Sequence, residues 1–413
     1  MLKCGDVKID SMYREVVADL RRAYLSAQKH KANTRSCIKC SMDLEDEIDE
    51  LACAIINGNY AMRPSICFIV TNPVLREVIA AEFRDRLVHH YIFDYLNPWL
   101  ERELIEDCYS CRDGKGTGYG VERLAHHIRS CSQNYTRECW VLQLDISGYF
   151  MAIDRRRLYL MAIQLMNRIG HRRNKEGQLL GSLPKHRLIE QLLATVILYD
   201  PMVNCNLHDP RNLRAQLPQS KSLSFSDPDC GLPIGNLTSQ MFSNLYLNGF
   251  CQWVKRGVKV KHFGDYVDDS YYVSCNPDWL LGLIPQIDGY LRRELGLHLN
   301  MAKSKLTEVH QGVTFLGVHI KPYRRYVKRR TLQRIRHQVE EMTHISSQRL
   351  EHEDVRHRLI SSANSMLGIL NHTASYRLRK GLFPTYPMYL FADGTKGMTK
   401  FVESNDKVSM LAN

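Results

Sequence analysis

Phe263-Gly264-Asp265-Tyr266-Val267-Asp268-Asp269-Ser270-Tyr271-Tyr272-Val273 sets two adjacent carboxylates between runs of aromatic and β-branched residues. The pattern predicts strand, tight turn and strand. Neighbouring aspartates at a hairpin tip repel each other, so the site costs stability unless a cation neutralises it. Hard oxygen donors suit Mg²⁺, which takes one or two carboxylates and completes its shell with water and substrate phosphates. The competing reading is an acidic surface turn, since Asp is a common turn residue. The hairpin alone leaves both open.

Working outward, Val141-Leu142-Gln143-Leu144 reads as a buried strand ending in Asp145, and Ser147-Gly148-Tyr149-Phe150 turns the chain into a helix. Sites in α/β proteins are commonly built at strand ends, but a strand-end Asp also serves as a helix cap. Asp145 becomes a ligand candidate only with Asp268 and Asp269 beside it. Between the two stretches, Gly231-Leu232-Pro233-Ile234-Gly235-Asn236-Leu237-Thr238-Ser239-Gln240 enters an apolar helix. Glycines there leave N–H groups free and permit close approach of a base or phosphate. Downstream come an amphipathic helix over 277–295, Gly296-Leu297-His298-Leu299-Asn300, Lys303-Ser304-Lys305 and a strand ending in Phe315-Leu316-Gly317.

On the N-terminal side the spacing predicts helices over 7–30 and 43–57, a strand over 65–71, an interruption at Pro73 and a second strand from Arg76. A helix over 80–100 carries Arg84-Asp85-Arg86-Leu87-Val88-His89-His90, whose cations either touch phosphates or brace the helix through Arg–Asp pairing. The loop Asp113-Gly114-Lys115-Gly116-Thr117-Gly118-Tyr119-Gly120 lacks P-loop spacing, but a role near a nucleic-acid backbone stays open. Residues 170–230 read as irregular and peripheral to the chemistry. From Lys321 to Gln338 there are eight Lys or Arg and no acid, which favours phosphate contact. Residues 331–371 read as mainly helical and as the end of the structured part, with a frayed tail beyond Thr395.

Composition narrows the classes. A chain of 413 residues exceeds one ordinary core, and 44% hydrophobic content is that of a globular protein. The net charge of +12 fits a polyanionic partner such as nucleic acid. No apolar run approaches the roughly 18–20 residues of a membrane span, and Met1 to Asp10 lacks a signal-peptide core, so a cytoplasmic location is expected. Thirteen scattered Cys read as reduced thiols. The pairs Cys37/Cys40 and Cys108/Cys111 would have to come together for a zinc site, and ordinary thiols are the favoured reading.

Taken in order, the strand ending in Asp145, the Gly231–Gln240 turn, the Tyr266-Val267-Asp268-Asp269 hairpin, Gly296-Leu297-His298-Leu299-Asn300 with Lys303, and Phe315-Leu316-Gly317 resemble the palm of reverse transcriptases, over roughly residues 60–380. The nearer likeness is to reverse transcriptases of diversity-generating retroelements, on Ile234-Gly235-Asn236-Leu237-Thr238-Ser239-Gln240 where most relatives carry Gln-Gly-x-x-x-Ser-Pro. Arg84 to His90 and the Gly114-Lys115-Gly116-Thr117 loop are similar to that branch too. The resemblance implies an α+β right-hand polymerase. Its N-terminal extension and fingers would span 1–140, its palm 141–157 and 231–320, a fingers/palm insertion 158–230, its thumb 321–385 and a tail 386–413. It further implies a bacterial or phage RNA-directed DNA polymerase that copies template RNA into cDNA with errors at template adenines, aided by a small basic accessory protein.

By the same resemblance, Asp145, Asp268 and the Ile146 carbonyl hold two Mg²⁺ ions, Asp269 supports them, and the substrates are dNTPs. Ser147, Gly148, Tyr149, Phe150, Gly235 and Gln240 surround the nucleotide. The Phe150 ring crowds a ribose 2′-OH, unless it is simply a core aromatic. Lys303 protonates the leaving pyrophosphate, and Arg76 grips the triphosphate; the lysines that often accompany it are missing between Pro64 and Leu75. Ile234, apolar where an amide would position the template base, is expected to loosen base discrimination. Arg84, Arg86, Lys115, Phe315, Leu316, Gly317, Lys328, Arg329 and Arg330 are expected on the template and primer. The alternatives are a retron or group II intron-type enzyme, an RNA-dependent RNA polymerase, which Phe150 speaks against, and a catalytically inactive RNA-binding relative. After Gly317 there is room for a thumb, with no Cys/His-rich nuclease or RNase H module.

Overall fold

Apolar residues at helical spacing make the first helix, α1 (Val7–Ala27), one-sided: Val16, Leu20, Ala23 and Tyr24 are buried, while Arg21 and Arg22 face solvent. The computed structural model describes residues 7–29, 31–71, 74–208, 211–345, 347–383 and 387–411, so the expected interruption at Pro73 lies outside the described residues. Helices α2 (Arg35–Met42) and α3 (Leu44–Ile56) follow, the latter stopped at Gly58 with φ +69°. The hairpin of β1 (Ser65–Val70) and β2 (Arg76–Ala80) leads into α4 (Phe83–Glu103), against which α1 packs. Beyond the glycine-rich loop come α5 (Thr117–Cys131), β3 (Trp140–Asp145), the single turn α6 (Tyr149–Ala152) and α7 (Arg155–Gly170). The next stretch holds α8 (Pro184–Leu198), β4 (Cys205–Leu207) and α9 (Arg211–Ala215). Then α10 (Leu237–Gln252), β5 (His262–Tyr266), β6 (Asp269–Ser274), α11 (Pro277–Tyr290) and β7 (Lys305–Glu308) complete the central unit.

The central sheet is four-stranded and antiparallel, in the order β5-β6-β3-β7. Its side chains alternate between two cores, as strand geometry requires. Leu142, Leu144 and Tyr272 face the large core shared with α10 and α11. Val141, Tyr271 and Val273 face a second core with Val121, Leu124 and Ile128 of α5. A sheet buried on both faces holds its register firmly, because a one-residue slip would exchange the two cores. That rigidity fixes the strand ends where the acidic residues lie.

The remaining chain adds β8 (Val313–Phe315), β9 (Val318–Lys321) and β10 (Arg324–Val327), which form a separate antiparallel sheet. The helices α12 (Arg329–Thr343), α13 (Ser347–Leu350), α14 (Glu353–Asn371) and α15 (Tyr376–Leu382) follow. The chain does not fray beyond Thr395, and 371 does not end its structured part: β11 (Ala392–Gly394) pairs with β12 (Phe401–Glu403), and α16 (Asn405–Leu411) follows. Phe401 is buried against Phe383, and Asn364 on α14 accepts the Phe401 N–H at 2.6 Å, so apolar burial and a polar clasp hold the tail to the helices. The 170–230 stretch is not wholly peripheral either. Its strand β4 extends the β1–β2 sheet by pairing parallel to β1, and part of it reaches the cleft described below.

Candidate active site

Strands β3 and β6 pair in a register that sets Asp145 directly opposite Asp269. The turn joining β5 to β6 presents Asp268 beside them, with the Ile146 N–H donating to the Asp268 carbonyl at 3.0 Å. From the other side the Asn300 N–H donates to the Asp145 carbonyl at 2.8 Å, and Ser147 N–H to the His298 carbonyl at 2.9 Å. The acidic tip is thus clamped by backbone from three segments distant in sequence. Val267 sits at φ +60°, a left-handed conformation costly for a β-branched residue, which the paired strands on either side impose.

Electrostatics mark the same point. Burial, then the charge of Asp145, raises the Asp268 carboxyl, against the opposing pull of Lys303 and Arg76. The Asp269 side chain opens to solvent, yet protein crowding around it and the charges of Asp268 and Asp145 push its carboxyl up to about 6. Lys303 Nζ lies 2.7 Å and 3.0 Å from the two oxygens of Asp145. Beneath the tip, Asp265 is fully buried, and burial followed by repulsion from Asp268 and Asp269 drives its carboxyl well above the usual range. Sequence reasoning passed over Asp265; its one signal is a carboxylate within a strand buried on both faces.

Among the described residues, no three His, Cys, Asp or Glu side chains converge as a closed metal cage, and Asp145 directs its oxygens at Lys303 instead. The donor set nevertheless fits a hard divalent ion. It is all oxygen, the Asp268 and Asp269 carboxyls are raised by burial and by neighbouring acidic charge, and no backbone N–H among the described residues donates to the Ile146 carbonyl. Mg²⁺ needs no all-protein cage, because water and phosphate complete its shell.

A cleft of about 350 Å³ opens at this tip, lined by Arg76, Ile146, Ser147, Gly148, Tyr149, Phe150, Ile234, Asp268 and Lys303, with Ser220 and Lys221 from the 158–230 segment. Phe150 is half-buried, packed edge-on against Tyr149 at 5.4 Å, whose hydroxyl donates to the Ser243 carbonyl at 2.6 Å. Gly235, at φ +139°, lets the turn before α10 dock on β2: a Cβ there would lie 2.9 Å from the Ile79 carbonyl oxygen. The Ile79 N–H donates to the Ile234 carbonyl at 2.8 Å, and the Asn236 side chain accepts the Ala81 N–H at 2.8 Å. Gln240 is exposed on α10 and is not among the residues lining the cleft.

Several expected strand contacts are taken up internally. Arg84 is buried and paired with Glu47 at 3.2 Å and Asp85 at 3.8 Å, so it braces α4 instead of offering its charge to a phosphate. Arg86 donates to the Ala81 carbonyl at 3.0 Å and is half-buried. In the same helix Asp85 accepts from Tyr60 and from the Arg63 N–H, and His89 bonds Thr238 at 2.7 Å, tying α4 to α10. Lys115 donates to the Glu106 carbonyl at 2.6 Å and braces its own loop. Phe315 is buried against Tyr271, leaving Leu316 and Gly317 as the accessible turn. Lys328 donates its N–H to the Gly317 carbonyl at 3.0 Å, joining that turn to exposed Arg329 and Arg330 at the start of α12. Cys37 and Cys40 are buried in α2, whereas Cys108 is buried and Cys111 exposed elsewhere.

Residues 182–320 match the family described as reverse transcriptase (RNA-dependent DNA polymerase). That stretch is similar to a reverse transcriptase domain. The matched stretch holds Asp268, Asp269, Lys303 and the Phe315–Gly317 turn, while Asp145 precedes it and joins through the β3–β6 register. The antiparallel β5-β6-β3-β7 sheet with its flanking helices fits the α+β fold of a right-hand polymerase. The chain is 22% identical over 305 residues to Protein YkfC of Escherichia coli (strain K12), covering 66% of this chain and 70% of that protein. Among solved structures, telomerase from Candida albicans in complex with a TWJ fragment of telomeric RNA aligns at a TM-score of 0.46 and 10% identity, over 79% of this chain and 57% of that one. Apo telomerase from Candida tropicalis truncated from its C-terminal domain aligns at 0.45 and 11%, over 66% and 58%. The chain therefore spans little more than half the length of these telomerase chains. No helix among the described residues is long and apolar enough to cross a membrane.

Proposed function

We propose that this protein is the RNA-directed DNA polymerase of a diversity-generating retroelement, copying a template RNA into cDNA with errors at template adenines. The observation that carries the polymerase reading is Asp145 held opposite Asp269 and beside Asp268, at the mouth of a cleft that also contains Arg76, Phe150 and Lys303. Asp145, Asp268 and the Ile146 carbonyl would hold two Mg²⁺ ions, with Asp269 beside them. When bound, the ions supply activation of the primer 3′-hydroxyl and neutralisation of the triphosphate. Arg76 orients the triphosphate, the Phe150 ring lies against the sugar and selects a dNTP, and Lys303 gives its proton to the leaving pyrophosphate oxygen. Ser147 and Gly148 line the cleft where the nucleotide would lie, and Gly235 serves it by letting the Ile234 turn dock on β2.

In this reading the fingers occupy most of 1–140 with part of 158–230, the palm is 141–157 with 231–320, and the thumb begins at 321. Leu316, Gly317, Lys328, Arg329 and Arg330 form one edge for the template–primer duplex, held together by the Lys328–Gly317 backbone bond. Contacts of this kind weaken with salt, because each neutralised phosphate releases counterions. The diversifying role is supported by Ile234-Gly235-Asn236-Leu237-Thr238-Ser239-Gln240, whose apolar first residue lines the cleft. A small basic accessory protein belongs to the same proposal.

The test is Mg²⁺-dependent primer extension on a defined RNA template with four dNTPs, followed by sequencing of the cDNA. Errors concentrated at template adenines are expected. Accurate copying keeps the polymerase and removes the diversifying role. Absence of extension, with native template RNA and the accessory protein supplied, places an RNA-binding role first.

A further inference from the structure

Between Pro64 and Leu75 there is no lysine to share the triphosphate's charge with Arg76. Tertiary structure brings one from the insertion. Lys221 lines the same cleft as Arg76, Phe150, Asp268 and Lys303. Its side chain is exposed and has no hydrogen-bond or ion-pair partner among the described residues, whereas Lys303 is already seated on Asp145.

The backbone around Lys221 is anchored on both sides. Glu77, the neighbour of Arg76 on β2, is only 1% exposed. Its carboxylate accepts the Leu223 N–H at 2.8 Å and the Ser222 hydroxyl at 3.3 Å, and it pairs with Arg214 at 2.6 Å. On the other side the Ser220 carbonyl lies against Gly148, where a Cβ would come within 3.3 Å of it. The Lys221 N–H itself donates to the Pro218 carbonyl at 2.9 Å. One buried carboxylate thus sets the register between the segment that carries Arg76 and the segment that carries Lys221. A lysine held by its backbone with a free ammonium is preorganised for an anionic ligand, and little ordering remains to be done on binding.

We propose that Lys221 is the second cation that grips the triphosphate of the incoming nucleotide, with Glu77 as the positioning residue that holds its segment against β2. The proposal rests on the polymerase reading and supplies the lysine that the fingers strand lacks. A charge-assisted contact of this kind corresponds to about tenfold to a hundredfold in binding.

The experiment compares the full-length protein with Lys221→Ala, Lys221→Arg and Glu77→Gln on an RNA template–primer. Primer extension gives KM and kcat for the dNTP. Calorimetry gives the affinity for Mg²⁺–dATP, both of the protein and of its complex with a dideoxy-terminated primer. Lys221→Ala is expected to raise KM and the Mg²⁺–dATP dissociation constant at least about tenfold, with kcat and template–primer affinity little changed. Lys221→Arg should restore most of the loss, and Glu77→Gln should shift KM in the same direction as Lys221→Ala. Wild-type extension with an unaltered KM in Lys221→Ala overturns this inference and leaves the polymerase reading standing. A loss confined to template–primer affinity also overturns it and assigns Lys221 to a nucleic-acid strand. A wild-type protein that neither extends a primer nor binds Mg²⁺–dATP overturns both.

Discussion

Lys303 Nζ lies 2.7 Å from Oδ2 of Asp145, so the strand-end carboxylate has a cation against it before any metal arrives. Both the proton-donor role and the counter-ion role follow from that contact, and they separate in kinetics. Lys303→Met removes a competitor for Asp145 and removes the proton for the leaving group. The expected outcome is a fall in kcat of about a hundredfold or more, with half-saturating Mg²⁺ unchanged or lower. A Mg²⁺ titration of single-nucleotide extension reads both quantities; an unchanged kcat would leave Lys303 as a counter-ion alone.

Asp268→Asn is expected to reduce extension to background while the protein stays folded and retains its template RNA. Losing a raised, repelled carboxylate relieves the tip, so the metal-free variant should melt at or above the wild-type temperature. Retained extension would displace Asp268 from the chemistry.

The pH dependence has a definite sign. Asp269 is pushed up to about 6, above its unfolded value, so its contribution to stability is present at low pH and is lost as pH rises through about 6. Buried Asp85, also raised to about 6, acts in the same direction. Without divalent ions, the wild type should therefore lose Tm relative to Asp269→Asn between about pH 4 and pH 6.5, a comparison in which the opposing effect of His89 and His127, held down to about 3 by burial, cancels. Added Mg²⁺ should raise Tm more at pH 7.5 than at pH 5.5, because protons compete for the same oxygens. Asp269→Asn should shrink the Mg²⁺ effect and leave the Asp85 share of the slope. Differential scanning fluorimetry across pH, with and without Mg²⁺, decides it.

Gly235→Ala places a carbon 2.9 Å from the Ile79 carbonyl oxygen in a backbone conformation at φ +139°. The expected cost is about 1–3 kcal/mol, together with loss of extension as the turn before α10 lifts from β2. Denaturant unfolding and primer extension measure the two effects; an alanine variant with wild-type values of both would show that the docking is dispensable.

Ile234 is tied to β2 through its backbone carbonyl, so Ile234→Gln changes what faces the cleft without undoing the docking. An amide that positions the template base should lower misincorporation opposite adenine by about tenfold, equivalent to about 1.4 kcal/mol of discrimination. Sequenced cDNA from the two proteins provides the comparison, and an unchanged error spectrum would exclude Ile234 from fidelity.

The elements that carry the site were legible in the residues because their patterns are local. Aromatic and β-branched residues around Asp268-Asp269 specify a hairpin, and Val141 to Leu144 specify a buried strand ending in Asp145. Glycine at 235 marks a turn that no side chain could enter. Irregularity in 170–230 misled, because a loop has no periodicity to show what it touches. The C-terminal hairpin was hidden in the same way: its strands are three residues long, and the partners that fasten them, Asn364 for Phe401 and Arg356 for Glu403, lie far away in the sequence.

The sequence by itself determined which segments become strands, turns and helices, and that adjacent carboxylates would stand at a hairpin tip. Only the tertiary structure decided which distant charges meet. It set Asp145 opposite Asp269, turned Arg84 inward to Glu47 and left Lys221 free at the cleft through the Glu77 clasp. Local propensity is read from neighbours a few residues apart, whereas the partner of a charged side chain is fixed by long-range register and burial, where desolvation penalises any charge left unpaired.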